Sequence, residues 1–186
     1  MPNWCNNSVT ITGNKEQIDK FEKFLNEKNG KDWFDFFAKC PEELKSVDSP
    51  NNGPGAEKLI EKYGHSDWYS WSVDNWGTKW NCDAQDWQRN ENSISFRFDS
   101  AWSPPTAIYD TINERETYDV EAHYLEEGMG YVGKYADGVD NYYEFSDLAS
   151  LDNIPKDIVE NWNLKDNLQE YEEEPITIFN EESAND

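Results

Sequence analysis

Three groups of residues in the 186-residue chain have the chemical types to form a site: a block of tryptophans, a small set of cysteines and histidines, and a large excess of carboxylates. The aromatic block runs Trp68-Tyr69-Ser70-Trp71-Ser72-Val73-Asp74-Asn75-Trp76-Gly77-Thr78-Lys79-Trp80, with Trp102 beyond it. A buried indole needs a partner for its N–H, and Lys79 between two tryptophans can stack on a ring or meet an anion. Two roles fit. One is an aromatic pocket for a planar, nucleotide-like ligand, built from Trp4, Trp68, Trp71, Asn75, Trp76, Lys79, Trp80, Trp102 and Ser103. The other is an aromatic core that compensates for scarce aliphatic residues, the commoner fate of buried aromatics.

The nucleophile chemistry is poorly supplied. Cys5, Cys40 and Cys82 are odd in number and lack C-x-x-C spacing, so they suit neither a disulfide framework nor a zinc site. His65 and His123 have no cysteine or serine at a telling spacing, and buried thiols behave mostly as small hydrophobes. Asp137-Gly138-Val139-Asp140-Asn141 offers oxygen ligands outside the register of a calcium loop. Gly128-Met129-Gly130-Tyr131-Val132-Gly133 matches G-x-G-x-x-G, but a helix must open there for phosphate to meet its N-terminus, and Tyr131 to Tyr135 has strand character. Its glycines are expected to serve turns or close backbone packing. No catalytic residue, metal ligand or cofactor is assigned.

The carboxylates dominate the charge. Thirty-nine Asp and Glu against sixteen Lys and Arg leave −23. Through Ile108 there are 12 basic and 17 acidic residues, a net −5; thereafter 4 and 22, a net −18. Direct nucleic-acid binding is excluded as an expectation, because phosphate contact needs clustered Lys and Arg. The acidity suits either a solvated surface or a face that docks on a basic partner. No apolar stretch approaches the ~18 residues needed to span a bilayer, and Met1-Pro2-Asn3-Trp4 lacks signal-peptide features, so a cytoplasmic protein without membrane contact is expected.

The elements that must position these residues follow from periodicity. Val9 and Ile11 alternate with Ser8, Thr10 and Thr12 in a first strand, and Gly13 turns the chain. Asn14 and Gln17 form a capping-box variant for a helix carrying Ile18, Phe21, Phe24 and Leu25, closed at Asn29-Gly30. Residues 45–56 are Pro- and Gly-rich loop. Trp68 to Trp76 is helical up to Gly77, and Lys79 to Ala84 begins a strand. Ile94, Phe96 and Phe98 form another strand, Ser103-Pro104-Pro105 caps a helix with Ile108 and Ile112, and Tyr118 to Tyr124 alternates again. A hairpin closes around Asp137-Gly138, followed by a helix over Pro155 to Trp162 and the segment Pro175 to Phe179. The fold class is α+β, a ferredoxin-like β-α-β-β-α-β core with added C-terminal strands. The expected division is a domain over 1–148 with an insertion near 45–56, and an acidic, partly helical or disordered extension over 149–186.

Four motifs carry a resemblance. Pro2-Asn3-Trp4-Cys5-Asn6-Asn7, Asn75-Trp76-Gly77-Thr78-Lys79-Trp80, Ala101-Trp102-Ser103-Pro104-Pro105 and Glu126-Glu127-Gly128-Met129-Gly130-Tyr131-Val132-Gly133 together resemble the YubB-type, or Api-like, ferredoxin-like family of phage and plasmid proteins. The resemblance spans Pro2 to about Phe145 and implies that fold and a mobile-element origin. It implies no activity.

These observations lead to an expected function. The chain is a non-enzymatic accessory protein of a phage or other mobile element that binds and inhibits a host defence protein, placing carboxylates where that partner's basic surface holds phosphates. The expected contacts are Glu121, Glu126, Glu127, Asp137, Asp140, Glu144, Glu172, Glu173 and Glu174. The alternative is the small-ligand module built on the tryptophans.

Overall fold

Asn14 and Gln17 begin the first helix as the capping box requires: the Asn14 side chain accepts from Gln17 N at 3.0 Å, and Gln17 Oε1 accepts from Asn14 N at 2.9 Å. That helix, α1, spans Lys15–Lys28 and ends where Asn29 and Gly30 adopt left-handed φ values of 52° and 77°. The computed structural model that shows this describes residues 3–115 and 117–173, with side chains to residue 170. Before α1 runs β1 (Trp4–Gly13); after it come a 3₁₀ turn (Trp33–Phe36), α2 (Glu42–Lys45), α3 (Ala56–Tyr63) and α4 (Trp68–Trp76). Then follow β2 (Gln85–Asn90), β3 (Ser93–Ala101), α5 (Thr106–Asn113), β4 (Tyr118–Glu126), β5 (Tyr131–Ala136) and β6 (Val139–Glu144).

The six strands form one antiparallel sheet in the order β2-β3-β1-β4-β5-β6. Its first four strands with α1 and α5 are the expected ferredoxin-like core, and β5 with β6 is the expected added hairpin. Asp137 and Gly138, both at positive φ (53° and 73°), make its two-residue turn. Strand β2 starts at Gln85, so the strand expected from Lys79 is displaced. Lys79 to Ala84 instead stays irregular, held by Trp33 N to Cys82 O at 3.1 Å and Ala84 N to Gly30 O at 2.8 Å. The loop over 45–56 is tied to the start of α4, where Asn51 N donates to Asp67 at 3.3 Å and Asn51 Nδ2 to Ser66 O at 2.8 Å. Asp67 is the N-cap of α4. Burial alone would raise its carboxyl, but hydrogen bonds from Ser70, Asn51, Ser66 and Ser49 hold it down to about 2.

Helices cover one side of the sheet. Val9, Ile11, Ile94, Phe96, Phe98, Val120 and Ala122 meet Ile18, Phe21 and Leu25 of α1 and Ile108, Tyr109 and Ile112 of α5. Rings supply what few aliphatics cannot: fully buried Trp33 sits within 4.6–6.3 Å, centroid to centroid, of Phe34, Phe37, Phe96 and Phe98. Edge-to-face pairs of this kind contribute roughly 0.5–1.5 kcal/mol each beyond area burial.

Contacts divide the chain into two compact units, Met1–Glu144 and Phe145–Asp186. The second holds a 3₁₀ turn (Ala149–Asn153), α6 (Lys156–Asn161) and α7 (Leu164–Glu173), with Leu151, Ile154, Ile158, Val159 and Leu164 buried. The segment Pro175 to Phe179 lies outside the described residues. No helix among those described is long and apolar enough to cross a membrane.

The glycine motif has the expected structural use. Strand β5 begins at Tyr131, within it, and Gly133 on β5 faces Tyr124 on β4 so closely that a Cβ would overlap the phenol ring. Gly133→Ala is therefore expected to destabilise the protein by about 1–3 kcal/mol through overpacking, read from urea denaturation, whereas Gly138→Asn in the open turn changes it by less than ~0.5 kcal/mol.

Candidate functional site

Residues of the first three motifs converge on a buried hydrogen-bond network at one end of the β1–β3 pair. Asn7, almost wholly buried, donates through Nδ2 to Cys5 O at 2.8 Å and Ser100 Oγ at 2.9 Å, and accepts at Oδ1 from the Tyr109 hydroxyl at 3.3 Å. Ser100 Oγ donates to Ser103 O at 2.7 Å, Ser103 Oγ to Gly77 O at 2.9 Å, and Thr78 Oγ1 to Ala101 O at 2.9 Å. Gly77 ends α4 at φ 81° and lies so near the first turn of α5 that a Cβ would stand 2.9 Å from Thr106 N. Ser103 is thus a tie between strand and helix and not the helix cap expected from its sequence; α5 starts after Pro105 without a side-chain cap.

This network divides the nine residues expected to form a pocket. Trp71 and Trp76 are core, the Trp76 Nε1–H donating to Ala38 O at 2.8 Å. Trp68 packs partly buried against the same core. Asn75 Nδ2 bonds back to Trp71 O at 2.9 Å within α4. Trp4, Trp80 and Trp102 are instead 50, 40 and 49 % exposed. Trp102 takes a left-handed backbone (φ 72°), its N–H donating to Asn3 O at 3.0 Å and its carbonyl accepting from the Tyr131 hydroxyl at 2.7 Å. Of the nine, Trp4 and Trp80 line a common cleft, whereas Trp71 and Trp76 are buried in the core.

What remains is a cleft of about 280 Å³ walled by Trp4 and Trp80, with Asn81, Cys82, Asp83, Gln85, Asp99 and Ala101 completing its lining. The two indoles are 6.4 Å apart and tilted by 41°. Lys79 does not line this cleft; its Nζ lies 4.6 Å from the Trp80 ring centre and 5.9 Å from that of Tyr69. Asp83 and Asp99 are exposed, and each accepts a hydrogen bond from the protein: Asp83 Oδ1 from Asp32 N at 3.2 Å, and Asp99 Oδ1 from Asn6 Nδ2 at 2.8 Å. Neither aspartate was among the expected site residues. The signal that brings Asp99 to the aromatic wall is strand register, which sets Trp4 opposite Ala101 and Asn6 opposite Asp99.

The expected carboxylate array is not one surface. Glu126 is 2 % exposed and spends both oxygens on the β4–β5 turn, accepting from Gly128 N at 3.1 Å and Met129 N at 2.6 Å, so it is corrected from a partner contact to a turn residue. Asp140 accepts from the Tyr124 hydroxyl at 2.6 Å, and burial raises its carboxyl above the ordinary range. Glu144 shares that side of β6 and accepts from the Tyr142 hydroxyl at 3.3 Å. Glu121 points to the opposite side of the sheet and pairs with Lys134 at 3.0 Å. Glu127 and Asp137 are exposed in turns. The side chains of Glu172 and Glu173, and all of Glu174, lie outside the described residues.

The histidines have acidic neighbours, His65 Nε2 3.2 Å from Asp74 and His123 Nε2 3.6 Å from Glu121. No group of three or more metal-ligating side chains gathers among the described residues. All three thiols are free and buried: desolvation pushes Cys5 up to about 12, Cys40 up to about 11, and Cys82 well above the ordinary thiol range. Such thiols carry almost no nucleophilic thiolate near neutrality.

Comparison with known proteins bears on the fold. Residues 75–153 match a family described as the ferredoxin-like domain in Api92-like protein. The resemblance read from the motifs thus has a counterpart over β2 to β6, α5 and the helical turn beyond. A crystal structure of the protein api92 from Yersinia pseudotuberculosis shares 12 % identity, with 78 % of this chain and 99 % of that one covered, at a TM-score of 0.45. No curated protein matches significantly.

In the native protein a thiol-reactive dye such as Ellman's reagent at pH 8 is expected to modify none of the three cysteines within minutes and all three after denaturation. A single rapidly reacting thiol would show a nucleophilic cysteine that burial does not allow.

Proposed function

We propose that the chain is a non-enzymatic binding protein that docks on a basic surface of another protein. The observation that carries this reading is the Trp4–Trp80 cleft: two half-exposed indoles beside two exposed aspartates, in a chain of net charge −23. Exposed aromatic side chains are characteristic anchors of protein interfaces, and a field of this sign accelerates encounter with a positive partner. A nucleotide-like ligand is the less favoured occupant, since Asp83 and Asp99 would repel its phosphates and Lys79 stands outside the cleft.

The setting we attach to it is a phage or plasmid, and the partner a host defence protein whose basic surface holds nucleic acid. Support comes from the four motifs, which resemble those of the YubB-type proteins of phages and plasmids. Glu127, Asp137, Asp140 and Glu144, which do not line the cleft, then add to the long-range negative field that steers association, while the cleft supplies the anchoring contacts.

Purifying the tagged chain from its host at low ionic strength, then measuring the purified pair by calorimetry, tests this. The dissociation constant is expected to rise at least ~10-fold between ~50 and ~500 mM salt as charges are screened. Binding indifferent to salt, or a partner with an acidic surface, would overturn the reading.

A further inference from the structure

We infer that the Trp4–Trp80 cleft receives an arginine side chain of the partner, its guanidinium lying against an indole and donating to Asp99 and Asp83. This rests on the basic-partner reading above and names its central contact. Three observations select the occupant. The indoles of Trp4 and Trp80 offer π surface at one wall, and cation–π attraction acts over about 6 Å from a ring centre. The carboxylates of Asp83 and Asp99 stand on the same cleft and keep acceptor capacity, because a carboxylate has about four lone-pair sites and Asp32 N and Asn6 Nδ2 each take up one. The space is about 280 Å³, just under the roughly 300–1,000 Å³ of sites that enclose drug-sized ligands, and suits one side chain inserted from a neighbouring protein.

Arginine is chosen over lysine for a geometric reason. Its guanidinium is planar, so it can lie flat against an indole while its edge forks toward a carboxylate, whereas the ammonium of lysine is a compact, strongly hydrated point charge with neither a stacking face nor a fork. Trp80 already accepts a cation, Lys79, against its ring. No lining residue carries a positive charge, and Lys79, against the Trp80 ring, stands outside the lining, which leaves the Trp4 indole as the ring with no cation of the described residues against it.

The test follows the indole N–H signals of Trp4 and Trp80 by ¹⁵N NMR while the full-length protein is titrated with tri-arginine or tri-lysine peptide at low salt. Tri-arginine is expected to shift both signals and to bind at least ~5-fold more tightly than tri-lysine. The double variant Asp83→Asn, Asp99→Asn should lose those shifts. It preserves an oxygen for Asp32 N–H and for Asn6 Nδ2, so an unchanged amide spectrum elsewhere shows that its fold is intact. Trp80→Ala should weaken tri-arginine binding comparably.

Three results would overturn the inference: equal affinity for the two peptides, shifts confined to other tryptophans, or shifts that persist in the double variant. If these occur while the host partner still binds in a salt-dependent way, the cleft assignment fails and the basic-partner reading stands. If neither peptide binds and the host partner is insensitive to salt, both fail.

Discussion

The fold depends on one buried amide. Asn7 is enclosed on the helix-facing side of β1, and an amide placed there without partners would cost several kcal/mol. It has them because Ser100 on β3, Cys5 O on its own strand and Tyr109 on α5 all reach it. Ser100 in turn fixes Ser103, and Ser103 fixes the turn that ends α4. Loss of any member leaves a polar group stranded in low dielectric, so the set acts as a unit. Strand β1, strand β3 and the ends of two helices are thereby pinned at one corner of the sheet.

That corner also sets the surface. Once Gly77 is held against α5, Trp76 is committed to the core and Trp80 to the outside, although they are only four positions apart. Once Ala101 is paired with Trp4, Trp102 follows it into a left-handed turn beyond the end of β3 and is half exposed. The aromatic wall of the cleft is therefore a consequence of how the buried network closes. The charge around it is cheap by comparison: surface carboxylates in water contribute little to stability, and several here are balanced by lysines at helical spacing on α1. Acidity can thus be set by partner choice with small consequence for folding.

Much of the fold was legible in the sequence because its signals are local. The capping box at Asn14 and Gln17, the alternation of Ile94, Phe96 and Phe98, and the Asp137-Gly138 turn each depend on residues within a few positions of one another, and each stands where expected. The site was less legible. Trp76 and Trp80 look alike in a sequence, and only the packing of Gly77 separates them. Glu126 looked like one more surface carboxylate; its burial follows from the tight Gly128-Met129 turn that it satisfies. Asp99 carries no such local signal, because the indole beside it comes from 95 residues earlier and is brought there by register. The start of β2 was misplaced since Lys79 to Ala84 makes its hydrogen bonds to Gly30 and Trp33, both distant in sequence.

The central claim is that one buried network sorts the tryptophans into a core set and a docking set. Hydroxyl-radical footprinting of the native protein, with oxidation at each tryptophan read by mass spectrometry, tests it most directly. The account predicts rapid oxidation of Trp4, Trp80 and Trp102 and protection of Trp33, Trp71 and Trp76. Protection of Trp4 and Trp80 equal to that of Trp33, or rapid oxidation of Trp76, would contradict it.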